Sequence, residues 1–263
     1  MLGIIKRRLF QKKKIILERE EDLFLMLNKK NIIVTGGSGR FGTVLKKMVK
    51  KNYYFPKKNE LDILDLRSII KYFKKVRPKI VVHLAGLSRP MSLHEKKIDE
   101  SISLNIIGTS NIVIACSKFK VKLIYFSTNY VYQGTKGNYK ETDPLLPSNN
   151  YAWSKLGGES AVHLYRNSLI LRVSMTERPF VHKSAYANMI TNFIFHDEFI
   201  EIFKKIMHKK GIINIGGKSK SVYEFAKQNN LKVKKIYLKK DQFPKMPKNS
   251  SMNLNKLQSI LKK

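Results

Sequence analysis

The segment TGGSGRFG, Thr35 to Gly42, limits the folds open to this chain more than any other stretch. It follows a β-branched run, Ile32 to Val34. It precedes Phe41, Val44, Leu45 and Met48, which fall at i, i+3, i+4 and i+7 and so share one face of a helix. Strand, glycine turn and amphipathic helix in that order open a βαβ unit. Glycines at 36, 39 and 42 let the chain turn tightly and bring backbone up to a pyrophosphate, with the helix N-terminus facing the anion. The expected phosphate cradle is Gly36, Ser38, Gly39, Arg40, Phe41 and Gly42.

Downstream, strand and helix patterns keep alternating. Tyr53 to Phe55 reads as a second strand stopped by Pro56. Leu66 to Val76 is a helix ending before Pro78, and Ile80 to Leu84 is a buried strand. Ser101 to Lys118 is a helix, Leu123 to Ser127 a strand, Tyr151 to Arg166 a helix and Leu169 to Val173 a strand. Beyond residue 175 the alternation weakens. Ile212 to Ile215 still reads as a strand, and Ser221 with Glu224 as the capping box of a helix reaching Asn229. The expected class is α/β: a Rossmann-type doubly wound parallel sheet with a small C-terminal substrate lobe. Residues 1–25 read as an N-terminal appendage, 26–174 as the NAD(P)-binding domain, and 175–263 as the lobe, which contributes part of the sheet.

Composition excludes some functions. The single cysteine, Cys116, cannot form an internal disulfide, and the six histidines show no ligand spacing, so no metal site is expected. A reducing cytoplasm is the expected setting. No run of eighteen apolar residues occurs, so no membrane span is expected. The 52 Lys and Arg against 19 Asp and Glu give a formal charge of +33. The excess is mostly lysine, scattered from end to end, and lysine lacks the planar fork that reads bases. It is read as a lysine-biased surface that attracts polyanionic substrates, rather than as a nucleic-acid interface.

No acidic residue closes the second strand, where NAD enzymes hold the ribose 2′-hydroxyl. Lys57 and Lys58 follow it, and Arg40 lies in the turn. Cations there suit a 2′-phosphate, so NADP is expected as cofactor, with NAD left open.

A second constellation begins at Tyr151 and Lys155, a Y-x-x-x-K pair at the start of a helix. Residues i and i+4 stand on one face, so phenol and ammonium can converge. A nearby cation favours the phenolate of a group whose ordinary pKa is about 10. In FSTNYVY, Phe126 to Tyr132, a hydroxyl stands at the C-terminal end of a central strand, the side on which open α/β sheets bind ligands.

T-G-x-x-G-x-x-G, Y-x-x-x-K and FSTNYVY together resemble the extended short-chain dehydrogenases over about 200 residues. The resemblance implies that Thr128, with Ser127 as fallback, holds the substrate carbonyl. It implies Tyr151 as proton donor and cofactor contact, and Lys155 as the group lowering its pKa and binding the nicotinamide ribose. Asp62 and Ile63 resemble the family's pair against adenine, and HLAG resembles the segment beside the ribose, with Ala85 and Gly86 as contacts. Asn105 matches an asparagine that supports the lysine. STNYVY, E-T-D-P at 141–144 and Y-x-x-S-K are similar to the dTDP-4-dehydrorhamnose reductase branch, although Asn129 stands where those reductases usually have Asp. GDP-fucose synthases are also similar, but they carry a cysteine where this chain has Tyr130.

The resemblance implies NADP-dependent reduction of a 4-keto group on a nucleotide-diphosphate sugar. Alternatives are a non-catalytic NADP-binding regulatory subunit, a sugar-nucleotide epimerase or dehydratase, and a nucleic-acid-associated protein. A homodimer is left open. His196-Asp197-Glu198 reads as a helix cap or solvated turn, and Trp153 as core or as substrate mouth. Arg172 and Arg178 are candidates to face a diphosphate. The lobe is shorter than the family implies.

Overall fold

The computed structural model describes residues 30–49, 52–239 and 246–262; the expected appendage at 1–25 lies outside them. The chain runs β1 (Ile32–Thr35), α1 (Arg40–Met48), β2 (Tyr53–Tyr54), α2 (Leu66–Val76), β3 (Ile80–His83) and α3 (Leu93–Lys96). Next come α4 (Ile98–Phe119), β4 (Lys122–Thr128), α5 (Asn150–His163) and β5 (Ser168–Val173). Then follow β6 (Met175–Thr176), β7 (Ser184–Tyr186), β8 (Ile190–Thr191), β9 (Ile194–Phe195), α6 (His196–Ile206) and β10 (Gly211–Ile215). The last elements are β11 (Lys220–Ser221), α7 (Val222–Asn229), β12 (Lys234–Ile236) and α8 (Asn255–Leu261).

The apolar runs of the sequence become one six-stranded sheet in the order β10-β5-β4-β3-β1-β2, parallel throughout. β1, β3 and β5 are buried at every position, as strands covered on both faces must be. One face carries Phe41, Leu45, Phe199, Phe203 and Leu257 from α1, α6 and α8. The other carries Ile69, Phe73, Ile112, Cys116 and Val162 from α2, α4 and α5. Strand order reverses beside β1, where such sheets open a ligand crevice.

Local chemistry starts the helices. Asp65 caps α2 by accepting from Arg67 N, and Asn149 caps α5 by accepting from Ala152 N. The expected capping box of Ser221 and Glu224 is present on α7. β2 is a residue shorter than expected and pairs only through Tyr53 and Tyr54. α4 begins three residues before Ser101 and contains a π-turn over Ser103–Ile107.

α4 is also long and apolar enough, by length and composition, to cross a membrane. Its Ser, Asn, Thr and Gly residues hid this from a search for unbroken apolar runs. Here it is a layer of the fold, packed against α2 and α5.

The sequence reading missed α6. Phe199, Ile200, Phe203 and Ile206 form its buried stripe, a helical spacing plain in HDEFIEIFKKI. Residues beyond β5 also form three two-stranded pairs, β6 with β9, β7 with β12 and β8 with β11. A separate small core of Phe180, Ala185, Met189, Val222, Ala226 and Val233 holds this region together.

Candidate active site

A cleft of about 480 Å³ opens at the C-terminal ends of the strands, within the size range of small-molecule sites. Its floor is the glycine turn. Gly36 has φ +69°, and a Cβ there would lie 2.5 Å from Ala85 N, so only glycine permits β1 and the loop after β3 to approach this closely. Gly39 N donates to Gly36 O at 3.0 Å and closes the turn. No side chain caps the N-terminus of α1. Gly36, Ser38, Gly39, Arg40, Phe41, Gly42, Ala85 and Gly86 all line the cleft, as expected.

Four expected cofactor residues are not among its lining residues. Lys57 and Lys58 are exposed beyond β2. Asp62 binds its own turn by accepting from Leu64 N at 2.9 Å, and Ile63 belongs to the core beneath α4. Of the three cations assigned to a 2′-phosphate, only Arg40 lines the cleft.

Thr128, Tyr151 and Lys155 meet on the opposite wall. Burial raises the Tyr151 pKa, so the phenol stays protonated at neutral pH; a hydrogen bond with Thr128 and the charges of Arg89 and Arg40 oppose this. Lys155 Nζ lies 4.2 Å from the centroid of the Tyr125 ring. Burial brings its pKa down to about 7, against the charge of Glu159 one turn along α5.

Ser127 also lines the cleft, but its hydroxyl donates to Glu159 at 2.5 Å, so Thr128 is the hydroxyl nearer to service. Asn105 supports the site at one remove. It donates to Leu87 O at 2.9 Å and to Ser154 Oγ at 2.8 Å, and accepts from Leu87 N at 2.7 Å, tying the loop after β3 to α5. A Cβ on Gly158 would meet Asn105 O at 2.4 Å, so glycine lets α5 press against α4 here.

The two arginines considered for a diphosphate are both engaged elsewhere. Arg172 is 2% exposed and holds Glu159 through Nε at 3.1 Å and Nη2 at 2.6 Å. Arg178 pairs outside with Asp197 and Glu198, which fits the helix-cap reading of those two acids. His196, set aside with them, does line the cleft. Trp153 is neither core nor mouth: it is 49% exposed and absent from the lining. Arg89, Glu177 and Tyr130 line the cleft and escaped the sequence reading as site residues. Among the described residues no group of His, Cys, Asp and Glu could hold a metal ion.

A parallel sheet with a glycine cradle at its switch point, and a hydroxyl–tyrosine–lysine wall facing it, defines the extended short-chain dehydrogenase class. Within it, the chain belongs to the family described as RmlD substrate binding domain, whose model matches residues 30–204. It is 32% identical over 149 residues to the spore coat polysaccharide biosynthesis protein SpsK of Bacillus subtilis, covering 54% of this chain and 52% of that one. It is 29% identical over 143 residues to methionine adenosyltransferase 2 subunit beta of Pongo abelii, covering 51% and 42%. The chain thus spans about half the length of the curated relatives it matches. The NADP complex of dTDP-4-dehydrorhamnose reductase from Bacillus anthracis superposes with a TM-score of 0.78 at 26% identity, covering 88% of this chain and 92% of that one.

Proposed function

We propose that this protein reduces a keto group, at C4, on a nucleotide-diphosphate sugar with NADP as cofactor and NAD as an alternative. The observation that carries the reading is the convergence of Thr128, Tyr151 and Lys155 on a cleft floored by the glycine cradle. The cradle fits a dinucleotide: Gly36 leaves no room for a side chain, α1 is uncapped, and Arg40 lies at its first residue. The similar reductase from Bacillus anthracis holds NADP, and WbmG of Bordetella bronchiseptica, 18% identical with a TM-score of 0.70, holds NAD and UDP.

When bound, the dinucleotide would supply the hydride. The phenol of Tyr151, kept protonated by burial, donates the proton to the carbonyl oxygen. Thr128 orients that oxygen and stabilises its developing charge. Lys155 would hold the dinucleotide's ribose hydroxyls, and Asn105 holds the loop and helix that frame the site.

A homodimer belongs to the same reading. α4 leaves Ile98, Ile102, Ile107 and Ile114 exposed, and α5, packed beside it, leaves Trp153 exposed. Apolar side chains left outside on two neighbouring helices suit a two-fold contact in which each copy covers the other.

The test is NADPH oxidation with dTDP-4-dehydrorhamnose, wild type against Tyr151→Phe. Oxidation that disappears in the variant supports both the reaction and its proton donor. NADPH binding without oxidation would point to a non-catalytic subunit on the same fold.

A further inference from the structure

Three charged side chains meet on the lining of the cleft. Arg40, at the first residue of α1, and Arg89, in the loop after β3, both reach Glu177, just beyond β6. The Arg40 Nη1–Glu177 Oε1 distance is 3.0 Å, and the Arg89 Nη1–Glu177 Oε2 distance is 3.6 Å. The Glu177 side chain is 18% exposed, while Arg40 and Arg89 are 44% and 37% exposed. Arg40 also donates to Ser88 Oγ at 3.2 Å, and Glu177 accepts from Thr176 Oγ1 at 3.2 Å. Three segments far apart in sequence are thereby tied together at the cleft.

The cluster is not balanced. Two guanidiniums, with five N–H donors each, share one carboxylate, which leaves a positive charge and several donors over. His196 lines the same cleft, and its buried Nδ1 has no hydrogen-bond partner. The cluster is therefore built for an anion with more charge and more acceptor oxygens than a carboxylate. A diphosphate has both, and it meets the arginine fork in the same bidentate way.

We propose that Glu177 is an internal counter-ion that a diphosphate-bearing ligand displaces from Arg40 and Arg89, so that this carboxylate sets how tightly the cleft holds such ligands. The inference rests on the dinucleotide and nucleotide-sugar reading of the cleft. In the open protein the carboxylate keeps the arginines paired and joins the segment after β6 to the glycine turn. On binding, phosphate oxygens take the guanidiniums and the joint is released. The displacing diphosphate has two sources, the dinucleotide or the nucleotide of the sugar, and titration separates them.

NADPH, dTDP and adenosine are titrated separately into wild type, Glu177→Gln and Glu177→Ala by calorimetry. Both variants are expected to bind NADPH, dTDP or both about three- to tenfold more tightly, the range for losing one or two partly exposed ion pairs. Adenosine, which carries no phosphate, is expected to show no gain. A gain confined to NADPH assigns the counter-ion to the cofactor, and one confined to dTDP assigns it to the substrate. Unchanged or weaker binding of both in the variants overturns the proposal, with the cleft reading left standing. Wild type that binds neither NADPH nor dTDP overturns the cleft reading and the counter-ion together.

Discussion

Tyr151 and Lys155 sit four residues apart, yet burial acts on them in opposite senses. Desolvation disfavours charge on either group, raising the phenol and lowering the ammonium. Removing the Tyr151 hydroxyl is therefore expected to cut turnover by about 10²–10⁴-fold, the usual worth of a positioned proton donor, with NADPH affinity little changed. Steady-state rates of Tyr151→Phe with NADPH and the keto sugar check this. Lys155 titrates near pH 7. Below that pH it is an ammonium that attracts the anionic dinucleotide, and above it the charge is lost. NADPH binding is thus expected to weaken as pH rises from about 7, by at most about tenfold per unit. Lys155→Met should bind weakly and without that slope; a pH series of binding titrations measures it.

Much of this chemistry was legible, because its spacing is local. A glycine turn between a strand and a helix, and a pair at i and i+4, are fixed by the geometry of single elements. The arginines were not legible in the same way. Nothing in the sequence distinguishes Arg172, sealed against Glu159, from Arg89, open at the cleft, because the difference arises from strands and loops far apart in the chain. Lys57 and Lys58 follow the expected strand but are not among the residues lining the cleft, a placement that the path of the chain after β2 decides and local spacing does not show.

At the scale of elements, a buried network fastens the layers. Glu159 of α5 accepts from Arg172 of β5 and from Ser127 of β4. Arg172 also donates to Tyr132 Oη at 2.7 Å, and that hydroxyl donates to Asn214 of β10 at 2.8 Å. Burying both charges is costly, but leaving one of them alone is costlier. Arg172→Leu is therefore expected to cost about 3–5 kcal/mol, by stranding the Glu159 carboxylate. Calorimetry should show a Tm lower by roughly 10 °C. Combining it with Glu159→Leu should recover part of the loss. α6 is the complementary case: its stripe of Phe199, Ile200, Phe203 and Ile206 has helical spacing in the sequence, and the acids before the stripe form the first turn of the same helix.

For the whole molecule, the isoleucines left outside on α4 have a measurable consequence. A homodimer is expected in sedimentation at twice the chain mass of 30.6 kDa. Ile102→Lys and Ile107→Lys should each shift the equilibrium toward monomer. The charge of +33 makes moderate salt advisable there, since self-repulsion weakens association when screening is poor.

The sheet does not end with β5. The chain leaves β5 at Val173, returns as β10, and leaves again at Ile215, the residue paired with Val173. Both departures toward the small core thus start side by side at one corner of the sheet. The region beyond β5 is also tied back to the segment after β4, where Asn129 donates to Ser250 O at 3.2 Å and Tyr139 bridges to Met252. Glu177, four residues past Val173, stands close to that corner, and its pairing with Arg40 and Arg89 fastens the first departure to the glycine turn and to the loop after β3.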